Sequence, residues 1–258
     1  MNRFDLYELA VQAPELQARF LRALHGGAPL TLREDFAGPA AIARAWLALD
    51  PRHHAVAVDA DPEPLAHARD RLHSAGPEAM RRMNFVNDDV RACRAPADII
   101  AAFNFGACEL HARADLLAWL RGARESLNQR GILVCDLYGG AEAHLPGQTD
   151  QSLNTPDGPA TYTWEQRDAD PLTGRVRNAM HFRLPDGTPL RDAFVYDWRL
   201  WSVPELRDAL REAGFAHTEV HTSYGGAISD ALNPVPRAHE EFDPVDDTFV
   251  AYVVARRG

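Results

Sequence analysis

No lysine occurs anywhere in the chain; all 27 basic residues are arginine. Chemistries centred on a lysine amine are thereby excluded: the phosphate-binding P-loop, Schiff-base catalysis and pyridoxal-phosphate catalysis. Cysteine is nearly as scarce. Cys93, Cys108 and Cys135 are far apart and odd in number, so they offer neither a CxxC pair nor a disulfide framework. Cys135 falls in the apolar run from Gly131 to Asp136 and reads as a core residue. The 11 histidines form no HExxH-type pair, and no metal site is expected. Nowhere is there the run of about 20 uncharged apolar residues that a membrane span needs. The N-terminal segment carries Asp5 and Glu8 where a secretory signal would be apolar, which points to a cytoplasmic protein. Positive charge is in deficit, giving a net charge of −10. Neither nucleic acid nor a membrane surface is an expected partner, because both call for a basic footprint.

Glycine is short at one informative place. The stretch from Thr31 to Asp61 reads as strand, tight loop, helix and second strand, closed by the acid Asp59. Such a layout holds a nucleoside: the loop turns under the ligand, the helix start offers free N–H groups, and the acid takes the ribose hydroxyls. A dinucleotide loop uses three glycines, whereas Phe36-Ala37-Gly38-Pro39-Ala40 has only Gly38. A loop lacking close-approach glycines suits a pyrophosphate poorly and a phosphate-free nucleoside better.

Strand and helix patterns alternate around this stretch. Apolar spacing over residues 4–25, interrupted at Pro14, predicts two short helices ended by Gly26-Gly27. Strands are expected near Leu30–Asp35, Ala55–Asp59, Phe85-Val86, Asp98–Phe105 and Gly131–Tyr138. Helices are expected at Pro39–Leu49, Pro62–Ser74 and Arg113–Leu127. This is the pattern of an α/β fold, a Rossmann-like parallel sheet with helices on both faces. After Gly139-Gly140, residues 141–158 read as a polar loop or lid. Three β segments follow, Tyr162–Arg167, Arg175–Leu184 and Leu190–Trp201, split by turn signals into an antiparallel meander. A helix (Pro204–Ala213), a strand near Thr218–Thr222, a long loop and a last strand, Thr248–Ala255, complete the chain. The resulting division is an N-terminal helical segment (1–27) over the site, a core (28–140 and 202–258), and a lid and inserted β cap (141–201).

Acids stand at successive strand ends: Glu34, then Asp59 for the ribose diol, then Asp88-Asp89 for the adenine amine. Acids also favour helix N-termini for purely structural reasons. The ordered set resembles the class I S-adenosylmethionine (SAM)-dependent methyltransferases, whose first motif runs acid-x-Gly-x-Gly-x-Gly. Glu34 takes the place of the acid and Gly38 that of the middle glycine. Phe36 and Ala40 replace the outer two. Asp59 matches the ribose acid and Asp89 the adenine-side acid, followed by Val90. The phrases Leu32-Arg33-Glu34-Asp35-Phe36, Ala102-Phe103-Asn104-Phe105, Asp136-Leu137-Tyr138-Gly139-Gly140, Tyr162-Thr163-Trp164-Glu165-Gln166 and Trp198-Arg199-Leu200-Trp201 resemble a poorly characterised branch of that superfamily.

The resemblance implies a seven-stranded sheet with a reversed final strand and SAM as cofactor. It implies cofactor contacts at Tyr7, Gln12, Glu34, Phe36, Ala37, Gly38, Asp59, Ala60, Asp88, Asp89, Val90, Asn104 and Phe105. Asn104 and Tyr138 would border the transferring methyl group, or else pack at the core edge. His111 would be a general base, or a solvated loop residue. In the cap, Trp164, Arg199 and Trp201, with Glu165, Arg183 and Tyr196, would bind the substrate, or form the meander's own core or a homodimer face. The function expected is methyl transfer to a nitrogen or oxygen of a small molecule. The alternatives are a non-catalytic binder of SAM or S-adenosylhomocysteine (SAH), and an NAD(P)-dependent dehydrogenase.

Overall fold

The computed structural model describes residues 1–225 and 234–258. Two helices lead: α1 (Arg3–Val11), started by a reciprocal cap between Asn2 and Asp5, and α2 (Pro14–His25), started by proline and ended by Gly26 in the left-handed region. The core then alternates β1 (Thr31–Asp35), α3 (Ala41–Leu49), β2 (His54–Asp59), α4 (Pro62–His73), the short α5 (Pro77–Arg82), β3 (Met83–Asn87), β4 (Ala97–Ala102), a 3-10 turn (Gly106–Glu109), α6 (Arg113–Ser126) and β5 (Leu127–Gly139). Next come β6 (Gly147–Thr155), β7 (Gly158–Asp170), β8 (Arg175–Arg183) and β9 (Pro189–Arg199). The chain closes with α7 (Val203–Glu212), β10 (His217–His221) and β11 (Phe249–Arg256).

Seven strands form one sheet in the order β10-β11-β5-β4-β1-β2-β3, with β11 alone antiparallel to its neighbours. The expected reversed final strand is therefore present. Alternation distributes each strand's side chains between two cores. Val56, Val58 and Ile100 join Trp119 and Leu120 of α6 and Leu206 and Leu210 of α7. Ala55, Ala57 and Ile99 join Phe20 of α2, Trp46 of α3 and Leu65 of α4. The three cysteines are free and buried.

Three departures from the sequence reading are informative. Residues 147–155 are not loop: β6 pairs with β7 along its whole length and makes the meander four-stranded. Its sequence, Gly-Gln-Thr-Asp-Gln-Ser-Leu-Asn-Thr, is almost entirely exposed on an edge, so burial left no alternation to read. β4 stops at Ala102, and Asn104 and Phe105 both adopt positive φ rather than extending the strand. The short α5 carried no periodic signal. The loop expected between β10 and β11 lies partly outside the described residues.

The motif Leu-Arg-Glu-Asp-Phe contains a buried ion pair. Arg33 Nε and Nη2 donate to Asp35 Oδ1 and Oδ2 at 2.7 and 2.8 Å, and neither side chain reaches solvent. Trp119 Nε1 donates to Asp35 Oδ2 at 2.8 Å, and Arg33 Nη1 reaches the carbonyls of Cys93 and Ala95. Removing one member strands a charge in the core. Asp35→Ala is expected to cost about 3–5 kcal/mol of unfolding free energy. The double replacement Arg33→Met, Asp35→Leu should cost less than the single one, as urea denaturation would measure.

Candidate functional site

A cleft of about 570 Å³ opens at the carboxyl ends of β1, β2 and β4. Its floor is Glu34, the Phe36–Pro39 loop, Asp59–Asp61, Phe103 and Asn104; its roof is α1 through Phe4, Tyr7 and Gln12; its far wall is β9 from Asp192 to Tyr196, with Trp198. The roof is held from two sides. Leu6 packs into the cap's own core, while Glu8 pairs with Arg44 of α3.

The loop keeps a glycine-like backbone without the glycines. Phe36, Gly38 and Ala40, the three positions the motif assigns to glycine, have φ of +54°, +51° and +51°. A non-glycine residue in this region costs on the order of 1–3 kcal/mol, and packing offsets it. The Phe36 ring meets Trp119 edge-on at 5.5 Å, and a Cβ added at Gly106 would lie 2.7 Å from Phe36. Three of the loop N–H groups that a phosphate could use are already engaged. Ala37 N–H donates to Val58 O, Gly38 N–H to Asp59 Oδ2 at 2.7 Å, and Ala40 N–H to Ala37 O. At the start of α3, Ala43 N–H donates to Glu34 Oε2 at 2.7 Å.

Burial pushes the Glu34 carboxyl up to about 8, against the Ala43 hydrogen bond and the Arg44 charge that pull it down. Asp59 is also raised by burial, opposed by N–H donors from Asp61 and Gly38. Its two oxygens face the cleft with lone pairs to spare. Gln12 Oε1 is buried at the cleft with no hydrogen-bond partner among the described residues, as is the Trp198 indole N–H.

The sequence reading missed two residues here. Asp136 accepts the N–H groups of Asn104 and Phe105 at 3.0 and 2.7 Å and fixes that left-handed pair; burial raises its carboxyl to about 7. A lone acid inside the buried run Gly131–Leu137 was the available signal. Glu109, on the 3-10 turn, lines the cleft and makes no hydrogen bond or ion pair among the described residues. It is open to solvent through the cleft mouth, yet the surrounding walls crowd its carboxyl and, with the Asp59 charge, push it up to about 7.

The structure brings Tyr7, Gln12, Glu34, Phe36, Ala37, Gly38, Asp59, Ala60 and Asn104 together on the cleft. Other expected residues lie away from it. Asp89 is gripped through both oxygens by Arg91, which also pairs with Asp115, and Asp88 is exposed, accepting the Asp89 N–H. Val90 is core, and Phe105 packs edge-on against Tyr138 at 4.9 Å. The Tyr138 hydroxyl donates to Gln166 and accepts from Asn178, tying core to cap; with Arg199 it lines a separate cavity of about 460 Å³. His111 Nε2 bonds the Asp197 carbonyl at 2.6 Å. Arg199 stacks 3.7 Å over Trp201 and donates to the His111 carbonyl, Trp201 Nε1 donates to Leu110 O, and Trp164 packs beside Trp198 at 5.9 Å. On the cap's outer face Glu165, His181 and Asp192 converge, but Arg167 already pairs with both acids. Both His181 nitrogens are engaged too, by Glu165 and the Asp192 N–H.

No family model and no curated protein matches the chain. Solved structures do. The CcbJ methyltransferase from Streptomyces caelestis is 17% identical, with 94% of this chain and 95% of that one superposed at a TM-score of 0.68. A SAM-dependent methyltransferase from Clostridium acetobutylicum is 14% identical over 98% and 96%, TM-score 0.71. An amino pentose methyltransferase from Micromonospora echinaspora, solved with SAM bound, is 15% identical over 99% and 96%, TM-score 0.67. The chain thus has the class I SAM-dependent methyltransferase fold. No helix among the described residues is long and apolar enough to cross a membrane.

Because Glu34 is held protonated by the fold, the folded chain binds a proton that the unfolded chain has lost above about pH 4.5. Its contribution to stability is complete below that value and disappears as pH rises through about 8. Glu34→Gln keeps the acceptor for Ala43 and cannot ionise. Relative to that variant, the wild type should lose on the order of 3 kcal/mol between pH 4.5 and 9, read from urea midpoints across the range.

Proposed function

We propose that the protein is a SAM-dependent methyltransferase acting on a nitrogen or oxygen of a small molecule. The observation that carries this is the cleft itself, placed at the carboxyl ends of β1, β2 and β4 with a single carboxylate, Asp59, at the end of β2. A nucleoside without phosphates fits the donor and acceptor set. Asp59 would take the ribose diol. The orphaned Gln12 Oε1 would accept from the ammonium of the methionine portion, and the Tyr7 ring would cover it from α1. The backbone of Asn104, pinned by Asp136, would border the reacting end. Once bound, the cofactor supplies an activated methyl group on a sulfonium with its own leaving group. The protein's share is then alignment of the acceptor and exclusion of water.

A small acceptor accords with a cleft walled by α1 and β9. The similarity of fold to an amino pentose methyltransferase and to a sugar N-methyltransferase supports the same reading. A dehydrogenase is disfavoured by the engaged N–H groups of the loop.

Calorimetry with SAH tests the proposal directly. Saturable binding by the folded protein is expected, and absence of binding would sink it. Asp59→Ala should weaken SAH by about 1–3 kcal/mol, the scale of leaving a buried hydroxyl pair without a partner. Homocysteine release from a panel of amines, alcohols and phenols then separates an enzyme from a silent binder.

A further inference from the structure

The charge on the cleft is one-sided once paired groups are set aside. Arg3, the one basic residue on the lining, is neutralised by Glu63, and Asp192 is neutralised by Arg167. Asp59, Asp61 and Glu109 remain, with no cation among the described residues to answer them. Ring faces of Tyr7, Phe194 and Tyr196 stand nearby. Acids with aromatic faces form a lining that attracts a small cation and repels an anion. Of the three acids, Asp59 and Asp61 are committed to backbone N–H groups, of Gly38 and Asp61 and of Glu63 respectively. Glu109 alone is uncommitted.

We infer that the methyl acceptor is an amine that enters as its ammonium, and that Glu109 receives it and takes its proton. The inference rests on the methyltransferase reading above and names its acceptor class. A nitrogen nucleophile must shed a proton before it can attack. One N–H bond breaks, and its proton goes to the Glu109 carboxylate. The freed lone pair forms the N–C bond to a sulfonium-borne methyl, and the C–S electron pair departs with sulfur as a thioether. Charge balances: ammonium, carboxylate and sulfonium become N-methylammonium, carboxylic acid and thioether. Proton transfer from an ammonium to a carboxyl raised toward neutrality is far better matched than transfer from an alcohol. The lining holds no histidine or lysine that could serve an alcohol instead. The buried indole N–H of Trp198, without a partner, supplies one donor for an oxygen on the same acceptor.

The titratable and charged groups that share the cleft with Glu109 are Asp59 and Asp61 at the end of β2, Glu34 on β1, Arg3 and Tyr7 on α1, and Asp192 and Tyr196 on β9; Asp59 and Tyr196 feel its charge. Its titration can be followed by carboxyl carbon-13 NMR, the signal being assigned by its absence in Glu109→Gln. Ethanolamine hydrochloride serves as the probe and sodium chloride of equal ionic strength as the control, with and without SAH. The Glu109 midpoint, near 7 in the control, is expected to fall by about one unit in ethanolamine. Glu109→Gln should weaken ethanolamine at least tenfold while leaving SAH affinity within twofold, and Glu109→Asp should recover part of the loss. An unmoved midpoint, undiminished ethanolamine binding by Glu109→Gln, or an equal fall in SAH affinity would each overturn the assignment. Failure of the wild type to bind SAH would instead remove the methyltransferase reading, with the amine titration still standing on its own.

Discussion

Arg33 and Asp35 sit two residues apart on one face of β1, so alternation points both into the same dry core, where only each other and a few carbonyls can satisfy them. Their fork-to-fork geometry fixes the strand's end, and Trp119 of α6 is drawn onto the same carboxylate. Trp119 then backs Phe36, and Phe36 abuts Gly106 so closely that no side chain fits there. A continuous set of contacts thus runs from the ion pair through the strained loop to the 3-10 turn that carries Glu109. The left-handed Phe36 is tolerable because its ring has a place prepared by Trp119 and a missing Cβ. Replacing glycine by phenylalanine exchanges conformational freedom for packing, and the cleft floor becomes part of the core.

The core was legible because burial imposes period. Runs such as Ala55–Asp59 and Gly131–Tyr138 report local constraints that survive folding. β6 was hidden because an exposed edge strand is held by backbone pairing alone and imposes no side-chain pattern. The same division explains the site. Glu34 and Asp59 stand where strands end, so topology predicts their position. Asp89 has the right position but the wrong neighbour, because Arg91 lies within reach and takes both its oxygens. Tyr138 and Arg199 have the right chemistry on the far side of a wall of rings, Phe105 and Trp198, that sequence spacing does not show. Glu109, between Cys108 and Leu110, acquires meaning only from the cleft that surrounds it.

Carboxyls in this cleft are placed unlike those elsewhere in the molecule. Surface acids such as Glu165 and Asp89 are drawn down by arginine partners. Glu34 and Asp59 at strand ends, Glu109 on the 3-10 turn and Asp136 within β5 are all raised, each chiefly by enclosure. An all-arginine chain has guanidinium groups for the former and puts none beside the latter except Arg44 near Glu34. Acids left without cations store electrostatic demand that a positively charged ligand relieves. Raised carboxyls are common at functional sites for this reason.

The start of α3 shows how the same geometry selects against phosphate. A helix N-terminus after a parallel strand is an anion site by default, since its first N–H groups have no internal partner. In this chain the acceptors are supplied from within: the Glu34 carboxyl reaches the Ala43 N–H, and Asp59 claims the Gly38 N–H that a close-approach glycine would otherwise present. A pyrophosphate arriving there would meet two carboxyl groups, with the Ala37, Gly38, Ala40 and Ala43 N–H groups already engaged. A nucleoside bearing a cation meets the opposite situation, with acceptors at Asp59 and Gln12 and no positive charge left unpaired on the lining. The sparse glycine of the loop and the acids that fill its donors are therefore two aspects of one selection, made by charge more than by shape.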